Sequence, residues 1–228
     1  MEIINRRARI ASPARNLRRE NKNLNNKMSL KSEVNLINQE MAVVKNIFLA
    51  TVNFIPSFNI TDEKILPYGL RAHTRSISWI VEQVITQQTK FHAQQLGITD
   101  VEFDMPDTCL HDCVIIVGEK RYFVNVKIHN MGGKKNKNDI SAVEKLYMQY
   151  TTNPNYRLIY ACFGINFQNL TISFQNEAVH VFSPQFLPIY VNPRNDKIQS
   201  YYHHEQIYRS RQDFLRLLRE NSRSIVLE

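Results

Sequence analysis

Residues 111–130 read HDCVIIVGEKRYFVNVKIHN, in which Asp112, Asn125 and Lys127 interrupt two apolar runs. Gly118-Glu119 separates the runs, and glycine in the first position of a two-residue turn favours a type II′ hairpin. In that register Asp112 lies directly opposite Asn125, and cross-strand partners point to the same face of a sheet. Lys127 follows two residues later and shares that face, so one hairpin presents a carboxylate, an amide oxygen and an ammonium group together.

This combination of groups suits hydrolysis of a phosphodiester bond. A hard cation such as Mg²⁺ takes oxygen ligands and is held by one or two protein groups together with phosphate and water. Asp112 would supply the charge, Asn125 a neutral oxygen, and the main-chain carbonyl of Val126 a further ligand. Lys127 would orient the attacking water and stabilise the charge that develops on the phosphate. The alternative is an edge strand whose polar residues, lysine above all, prevent aggregation.

The elements that must position the hairpin include two amphipathic helices before it. Apolar residues at spacings of three and four predict a first helix that ends before Pro56, and its inward positions are Val34, Ile37, Met41, Val44 and Phe48. A second helix is predicted over residues 75–96, with Gly97 in the place of a C-terminal cap.

The segments after the second helix predict strands and two more helices. The strand-like runs are the hairpin of residues 112–129, then residues 157–163, 170–174 and 178–182. Residues 137–150 are a helix candidate between the hairpin and the next strand. Ser210 and Asp213 have the spacing of a capping box before a last helix, whose inward residues would be Phe214, Leu217 and Leu218. The order predicts an α/β fold, a mixed sheet flanked by helices.

The basic residues are concentrated at the N-terminus. The chain of 228 residues carries a net charge of +8, and residues 1–27 hold eight basic residues against two acidic ones. We therefore predict a flexible basic arm over residues 1–28, suited to a polyanion such as DNA, and a single domain over residues 29–228. A solvated tail that only aids solubility is the alternative.

The cysteine count and the hydropathy predict a cytoplasmic location. No run of about 18 apolar residues could span a membrane, and the arginine-rich N-terminus is unlike a secretory signal. The three cysteines, an odd number, argue against a disulfide framework. Cys109, His111 and Cys113 alternate along the chain, which is not the spacing of common zinc sites, so zinc is disfavoured. Trp79 is expected to pack against the sheet.

Two further segments are candidates for contact with DNA. Residues 130–141 combine paired glycines with lysines that can neutralise phosphates and amides that can reach adenine edges. Residues 201–211 combine tyrosines, histidines and arginines. The predicted DNA-binding residues are Lys134, Lys135, Lys137, Asn138, His203, His204, Arg209 and Arg211. The alternatives are a surface loop for the first segment and simple packing of the tyrosines for the second.

The hairpin resembles the active-site motif of the PD-(D/E)XK nucleases, the superfamily that contains most type II restriction endonucleases. The matching residues are Asp112 at the start of one strand and Asn125-Val126-Lys127 after the turn. Many of these enzymes carry an acidic residue on the helix before the hairpin, and Glu82 fits that position. Residues 192–218 are also similar to the C-terminal part of a group of rare-cutting restriction enzymes, so the resemblance covers roughly residues 70–220.

The resemblance implies a Mg²⁺-dependent type II restriction endonuclease that acts as a homodimer on double-stranded DNA, with Glu82 as an additional catalytic and metal-binding residue. Two features depart from the family pattern. Asn125 replaces the usual acidic residue, which removes one negative charge from the metal site. Asp107, in a literal Pro-Asp pair, competes with Asp112 for the first position. A DNA-binding protein without activity and a nuclease for structured or damaged DNA therefore remain open.

Overall fold

The computed structural model describes residues 29–68, 74–106, 108–130, 138–200 and 205–222. Several residues that the sequence singles out lie outside the described residues. They are the basic arm of residues 1–28, Asp107, Lys134, Lys135, Lys137, His203 and His204.

The described elements form a mixed α/β fold, as the sequence predicts. The helices are α1 (Leu30–Phe54), α2 (Thr74–Phe91), α3 (Val143–Thr152) and α4 (Arg211–Asn221), with a short 3₁₀ turn at Pro184–Phe186. The strands are β1 (Phe58–Asn59), β2 (Asp100–Phe103), β3 (Cys113–Val117), β4 (Lys120–Asn130), β5 (Asn138–Ala142), β6 (Leu158–Gln168), β7 (Thr171–Phe182), β8 (Tyr190–Asn192) and β9 (Lys197–Ser200).

The strands form two sheets. The larger has the order β1-β7-β6-β4-β3-β2, and the smaller has the order β5-β9-β8. Within the larger sheet β4 and β6 run parallel, and the other pairs are antiparallel. Because α3 follows β5 and leads into β6, it forms part of the crossover that this parallel pair requires.

The β3–β4 hairpin has the predicted turn. Val117 pairs with Lys120, and Gly118 adopts a φ of +59°, which an L-residue with a side chain rarely adopts. The ladder ends one residue earlier than the sequence suggested, because its last pair is Cys113 with Val124. The Asp112 N–H donates to the Val124 carbonyl at 2.9 Å, so Asp112 is not directly paired with Asn125.

Helices cover both faces of the larger sheet. Buried residues of α1 and α2, such as Phe48 and Val81, pack with Val124 and Val126 of β4 in one core cluster. Residues of α3 and α4 form a second cluster with β6 residues such as Leu158 and Tyr160, and Phe123 packs against it. Successive residues of β4 thus alternate between the two clusters, which fixes the direction of every side chain near the site.

Three helix predictions can be compared with the structure. Helix α1 ends at Phe54, as expected before Pro56. Helix α2 ends at Phe91, but the turns continue to Gly97, where Ile98 N donates to Ala93 O and Gly97 N to Gln94 O. These are the two bonds of a Schellman cap, and Gly97 has a φ of +67° as that cap requires. The capping box of α4 is also present, since Ser210 Oγ accepts from Asp213 N at 3.1 Å.

Two other predictions were wrong in detail. Residues 137–150 are not one helix, because Asn138–Ala142 form β5, which pairs with β9, before α3 begins at Val143. Residues 170–174 and 178–182 are not separate strands but parts of one long strand, β7. The pairing of β7 with β6 shifts register between Phe163 and Ile165, so a bulge takes the place of the expected break.

Candidate functional site

A cleft of about 300 Å³ lies between α2 and the segment that leads into β3. We call it the acidic cleft; its lining includes Trp79, Glu82, Asp104, Met105, His111 and Asp112. Helix α2 presents Ile77, Val81 and Ile85 to the core, so Glu82 is carried on the side of the helix next to the core face. The cleft therefore brings together a helix residue and a strand residue that are far apart in sequence.

Glu82 is half-buried in this cleft and its pKa is raised from 4.5 to about 7. Burial is the largest cause, and the negative charge of Asp112 adds to it. Lys127 acts in the opposite direction and lowers the pKa. Glu82, Asp112 and Lys127 thus act on one another electrostatically, although they come from α2, the start of β3 and β4.

Asp112 is held at the end of the β3 ladder. Its Oδ2 atom accepts from the Val126 N–H at 2.7 Å, so the carboxylate occupies the place that a further β3 residue would fill beside β4. Burial raises the pKa of Asp112, while Lys127 and the Val126 hydrogen bond lower it. A carboxylate held in this way has a second oxygen that can accept a cation or a donor.

Lys127 extends from β4 toward the opposite face from Val126. Its Nζ atom lies 5.9 Å from the centre of the Tyr160 ring, and its strand partner on β6 is Cys162. Tyr160 is fully buried, and its hydroxyl donates to the Ile140 carbonyl at 2.9 Å, so the ring is a fixed surface for the lysine. Lys127 is the cation that acts on both cleft carboxylates.

Asn125 is 8% exposed, and its amide group is only partly satisfied. Its Nδ2 atom donates to the Leu110 carbonyl at 2.9 Å, whereas its Oδ1 atom is buried and has no hydrogen-bond partner. It lines a second cleft of about 230 Å³ with Asp139, Lys145 and Lys197, and Cys109 borders both clefts. The peptide group after Asn125 contacts Asp112, so the amide lies at the junction of the two clefts.

The groups at this junction fit a hard cation. Two half-buried carboxylates and a buried amide oxygen that lacks a donor are oxygen ligands of the kind that Mg²⁺ takes. Among the described residues, no three His, Cys, Asp or Glu side chains are grouped so that they could hold a metal. The remaining ligands would therefore have to come from Asn125, from the main chain at Val126, and from phosphate and water.

Two predicted DNA-binding residues are engaged within the fold. Arg209 donates to the Leu187 carbonyl at 2.8 Å. Arg211 donates to the carbonyls of Tyr150, Tyr156 and Asn153, and its guanidinium carbon lies 4.7 Å from the centre of the Tyr150 ring. These bonds give both arginines a structural role. Asn138 is the first residue of β5.

The three cysteines are free, and the alternating Cys-His-Cys pattern does not converge on one point. Cys113 is fully buried in the core cluster beneath α2, where burial raises the pKa of its thiol. His111 turns to the other side and lies 3.3 Å from the Tyr156 hydroxyl. His111 and Cys113 therefore lie on different sides, although a spacing of two residues would place them on the same face of a regular strand, because β3 begins only at Cys113.

Trp79 does not pack against the sheet, contrary to expectation. Its side chain is 68% exposed and forms part of the wall of the acidic cleft. Ile77 and Val81 already fill the core face of α2. Trp79 is two residues away from each of them, so it lies on a different side of the helix. The apolar residues of α2 cover a broad sector of the helix surface, and the expectation that Trp79 lies on the side that faces the sheet was wrong.

Sequence reasoning missed two residues of the acidic cleft. Asp104 is exposed at its edge and has a φ of +68°, a left-handed conformation that is uncommon for residues other than glycine. His111 is half-buried beside Asp112, and burial followed by the positive charge of Arg121 lowers its pKa. The position of Asp104 directly after strand β2 carried no periodic signal that could have indicated its role.

No known family model matches the chain, and no curated protein is significantly similar to it. Within the part of the chain that the structure describes, no helix combines the length and the apolar character needed to cross a membrane.

Proposed function

We propose that this protein is a Mg²⁺-dependent endonuclease that hydrolyses phosphodiester bonds of double-stranded DNA at a defined site, as a type II restriction enzyme does. The observation that carries the proposal is that Glu82 and Asp112 line one cleft, and that the Asp112 carboxylate is hydrogen-bonded to Val126, next to Lys127 on β4. Two carboxylates with raised pKa values beside a lysine are the arrangement expected where a divalent cation and a phosphate meet. The resemblance of the hairpin to the PD-(D/E)XK motif supports the same reaction.

Each residue has a distinct part in the proposed reaction. Asp112 and Glu82 would hold the cation, together with the free oxygen of Asn125 and the Val126 carbonyl. When bound, Mg²⁺ supplies Lewis-acid stabilisation of the charge that develops on the phosphoryl oxygens. Lys127 orients the attacking water and adds a hydrogen-bond donor for the phosphate. In-line attack forms a bond from water to phosphorus, breaks the bond to the 3′ oxygen, and leaves a 5′-phosphate and a 3′-hydroxyl.

The proposed substrate is duplex DNA, and the proposed assembly is a homodimer with one site for each strand. The net charge of +8 and the basic N-terminal residues favour a polyanion. A palindromic site read by a symmetric dimer is what the resemblance to type II enzymes implies. The acidic cleft by itself carries negative charge, so the cation has a second purpose, which is to allow a phosphate to approach.

The direct test is digestion of phage λ DNA by the purified protein with and without Mg²⁺, followed by sequencing of the fragment ends. Discrete Mg²⁺-dependent fragments that share one short palindrome would support the proposal and define the site. Cuts that follow DNA shape instead of sequence would replace it with a nuclease for structured or damaged DNA.

Asn125 favours a second function, that of a DNA-binding protein without nuclease activity. Its amide is neutral, so it adds no charge beside Asp112 and Glu82. The amide nitrogen is bonded to the Leu110 carbonyl, and the side chain lines the second cleft. Protein that shifts λ DNA on a gel but leaves it intact with both Mg²⁺ and Mn²⁺ would favour this function.

A further inference from the structure

The exposed indole of Trp79 is the most prominent apolar group at the acidic cleft. It lies three residues before Glu82 on α2, and residues at that spacing are neighbours on a helix surface. The core does not need it, because Ile77 and Val81 are fully buried on either side while Trp79 is 68% exposed. Its place in the wall of the cleft beside Glu82, which the exposed Phe91 of the same helix does not share, points to a ligand that covers it.

Two apolar residues of the segment after β2, Met105 and Pro106, also line the cleft. Met105 and Pro106 follow Asp104, whose positive φ turns the chain after β2. Aspartate adopts this conformation more readily than most residues, and the two residues that follow Asp104 line the same cleft as Trp79. The acidic cleft thus combines a carboxylate pair with a flat aromatic face and an apolar wall.

We infer that Trp79 stacks on a nucleobase next to the phosphate that a cation at Glu82 and Asp112 would hold. The inference rests on the proposed function, because a phosphodiester bound at the carboxylates brings the bases of the adjoining nucleotides to within a residue or two of the cleft. A base offers a planar π-face that an indole can cover, and stacking of this kind is independent of base identity. The base belongs either to a single-stranded segment or to a duplex in which it has left the stack.

The chain offers an unusually direct measurement, because Trp79 is its only tryptophan. The full-length protein would be titrated with a mixed-sequence oligodeoxynucleotide, single-stranded or annealed to its complement, with Ca²⁺ in place of Mg²⁺. Tryptophan emission would be followed alongside the anisotropy of labelled DNA. Stacking predicts that the emission falls along the same curve as the anisotropy rises, and that Trp79→Ala weakens binding about 10-fold while Trp79→Phe largely retains it.

Phe91 provides the matched control, since it is an exposed aromatic residue at the end of the same helix but does not line the cleft. Phe91→Ala is expected to bind DNA as the wild type does. Quenching by the single strand alone would assign the base to a single-stranded segment, and quenching by both forms would assign it to a base unstacked from a duplex. Both outcomes support the inference.

Unchanged emission at saturation, wild-type affinity in Trp79→Ala, or absence of DNA binding would overturn the stacking inference. The result also separates this inference from the nuclease proposal. Mg²⁺-dependent cutting of λ DNA without quenching would remove only the stacking role, whereas quenching without cutting in Mg²⁺ or Mn²⁺ would remove only the nuclease.

Discussion

Buried charges occur in two regions of the molecule, and the two differ in how those charges are satisfied. In one region, which we call the arginine cluster, Arg157, Arg209 and Arg211 each donate to oxygen atoms of the chain. Arg157 forms two bonds of 2.6 Å with Glu40, and this pairing raises the pKa of the arginine further. In the acidic cleft, by contrast, Glu82 and Asp112 repel each other and both pKa values are raised.

The difference separates charges that hold the fold from charges that are available for chemistry. A buried ion pair with complete hydrogen bonds stabilises one arrangement of elements, and here it ties α1 to the start of β6. A pair of like charges in a cleft costs stability, so a functional reason is required for its presence. We therefore propose that the reaction takes place at the acidic cleft and that the arginine cluster stabilises the fold.

The largest expected effect is on activity. Lys127→Ala should lower the rate of DNA cleavage by about 10³-fold, because in the proposed reaction it removes a donor to the developing charge. Its thermal stability should remain close to that of the wild type, since Lys127 has no carboxylate partner among the described ion pairs. Cleavage rate and melting temperature would be measured together. Lys120→Ala, on the same strand at the turn, is the control and should cleave normally.

The next effect concerns stability in the arginine cluster. Arg157→Ala leaves the Glu40 carboxylate without its bidentate partner, and we expect a loss of about 3 kcal/mol in the free energy of unfolding. Urea unfolding would measure it. Replacing both residues by methionine should recover most of the loss, because no charge is then left buried. A double variant as unstable as Arg157→Ala would argue against this explanation.

Only part of the fold, and only part of these two regions, could be predicted from the sequence. The turn at Gly118 and the cap at Gly97 were predicted correctly, since each rests on local backbone geometry that glycine permits. The small sheet of β5, β9 and β8 was missed, because its strands are short and β5 pairs with β9 from a distant part of the chain, although β8 and β9 are neighbours in sequence. The role of Arg211 was not foreseen either, since a guanidinium that binds main-chain carbonyls has no sequence pattern.

A smaller effect is expected on the pH dependence of stability. The pKa of Glu82 is raised from 4.5 to about 7, so the folded chain holds a proton there that the unfolded chain releases between these pH values. In metal-free buffer the free energy of unfolding should therefore fall as pH rises from 4.5 to 7. Because the side chain is only half-buried, we expect its contribution to be about 1 to 2 kcal/mol.

Glu82→Gln tests this explanation, because glutamine fills nearly the same space and does not titrate. Urea unfolding of the variant between pH 4.5 and pH 7 should show a shallower fall than the wild type, with the remainder due to Asp112. An equal slope in both proteins would mean that Glu82 keeps an ordinary pKa.

The smallest effect distinguishes the two roles considered for Arg209. Its bond to the Leu187 carbonyl predicts that Arg209→Ala loses about 1.5 kcal/mol of unfolding free energy and keeps its affinity for DNA. The sequence-based prediction is the reverse. It expects that Arg209→Ala binds DNA more weakly and that binding releases about one counterion fewer, which reduces its salt dependence. Urea unfolding and DNA binding at several salt concentrations would decide between them.

The most direct test of the account is a calorimetric titration of the wild-type protein and of Asp112→Asn with Mn²⁺ in the absence of DNA. We predict saturable binding to the wild type that is lost in Asp112→Asn and retained in Arg216→Ala, a variant at an exposed surface ion pair. The absence of binding to the wild type, or equal binding to wild type and Asp112→Asn, would contradict the claim that the acidic cleft holds a divalent cation.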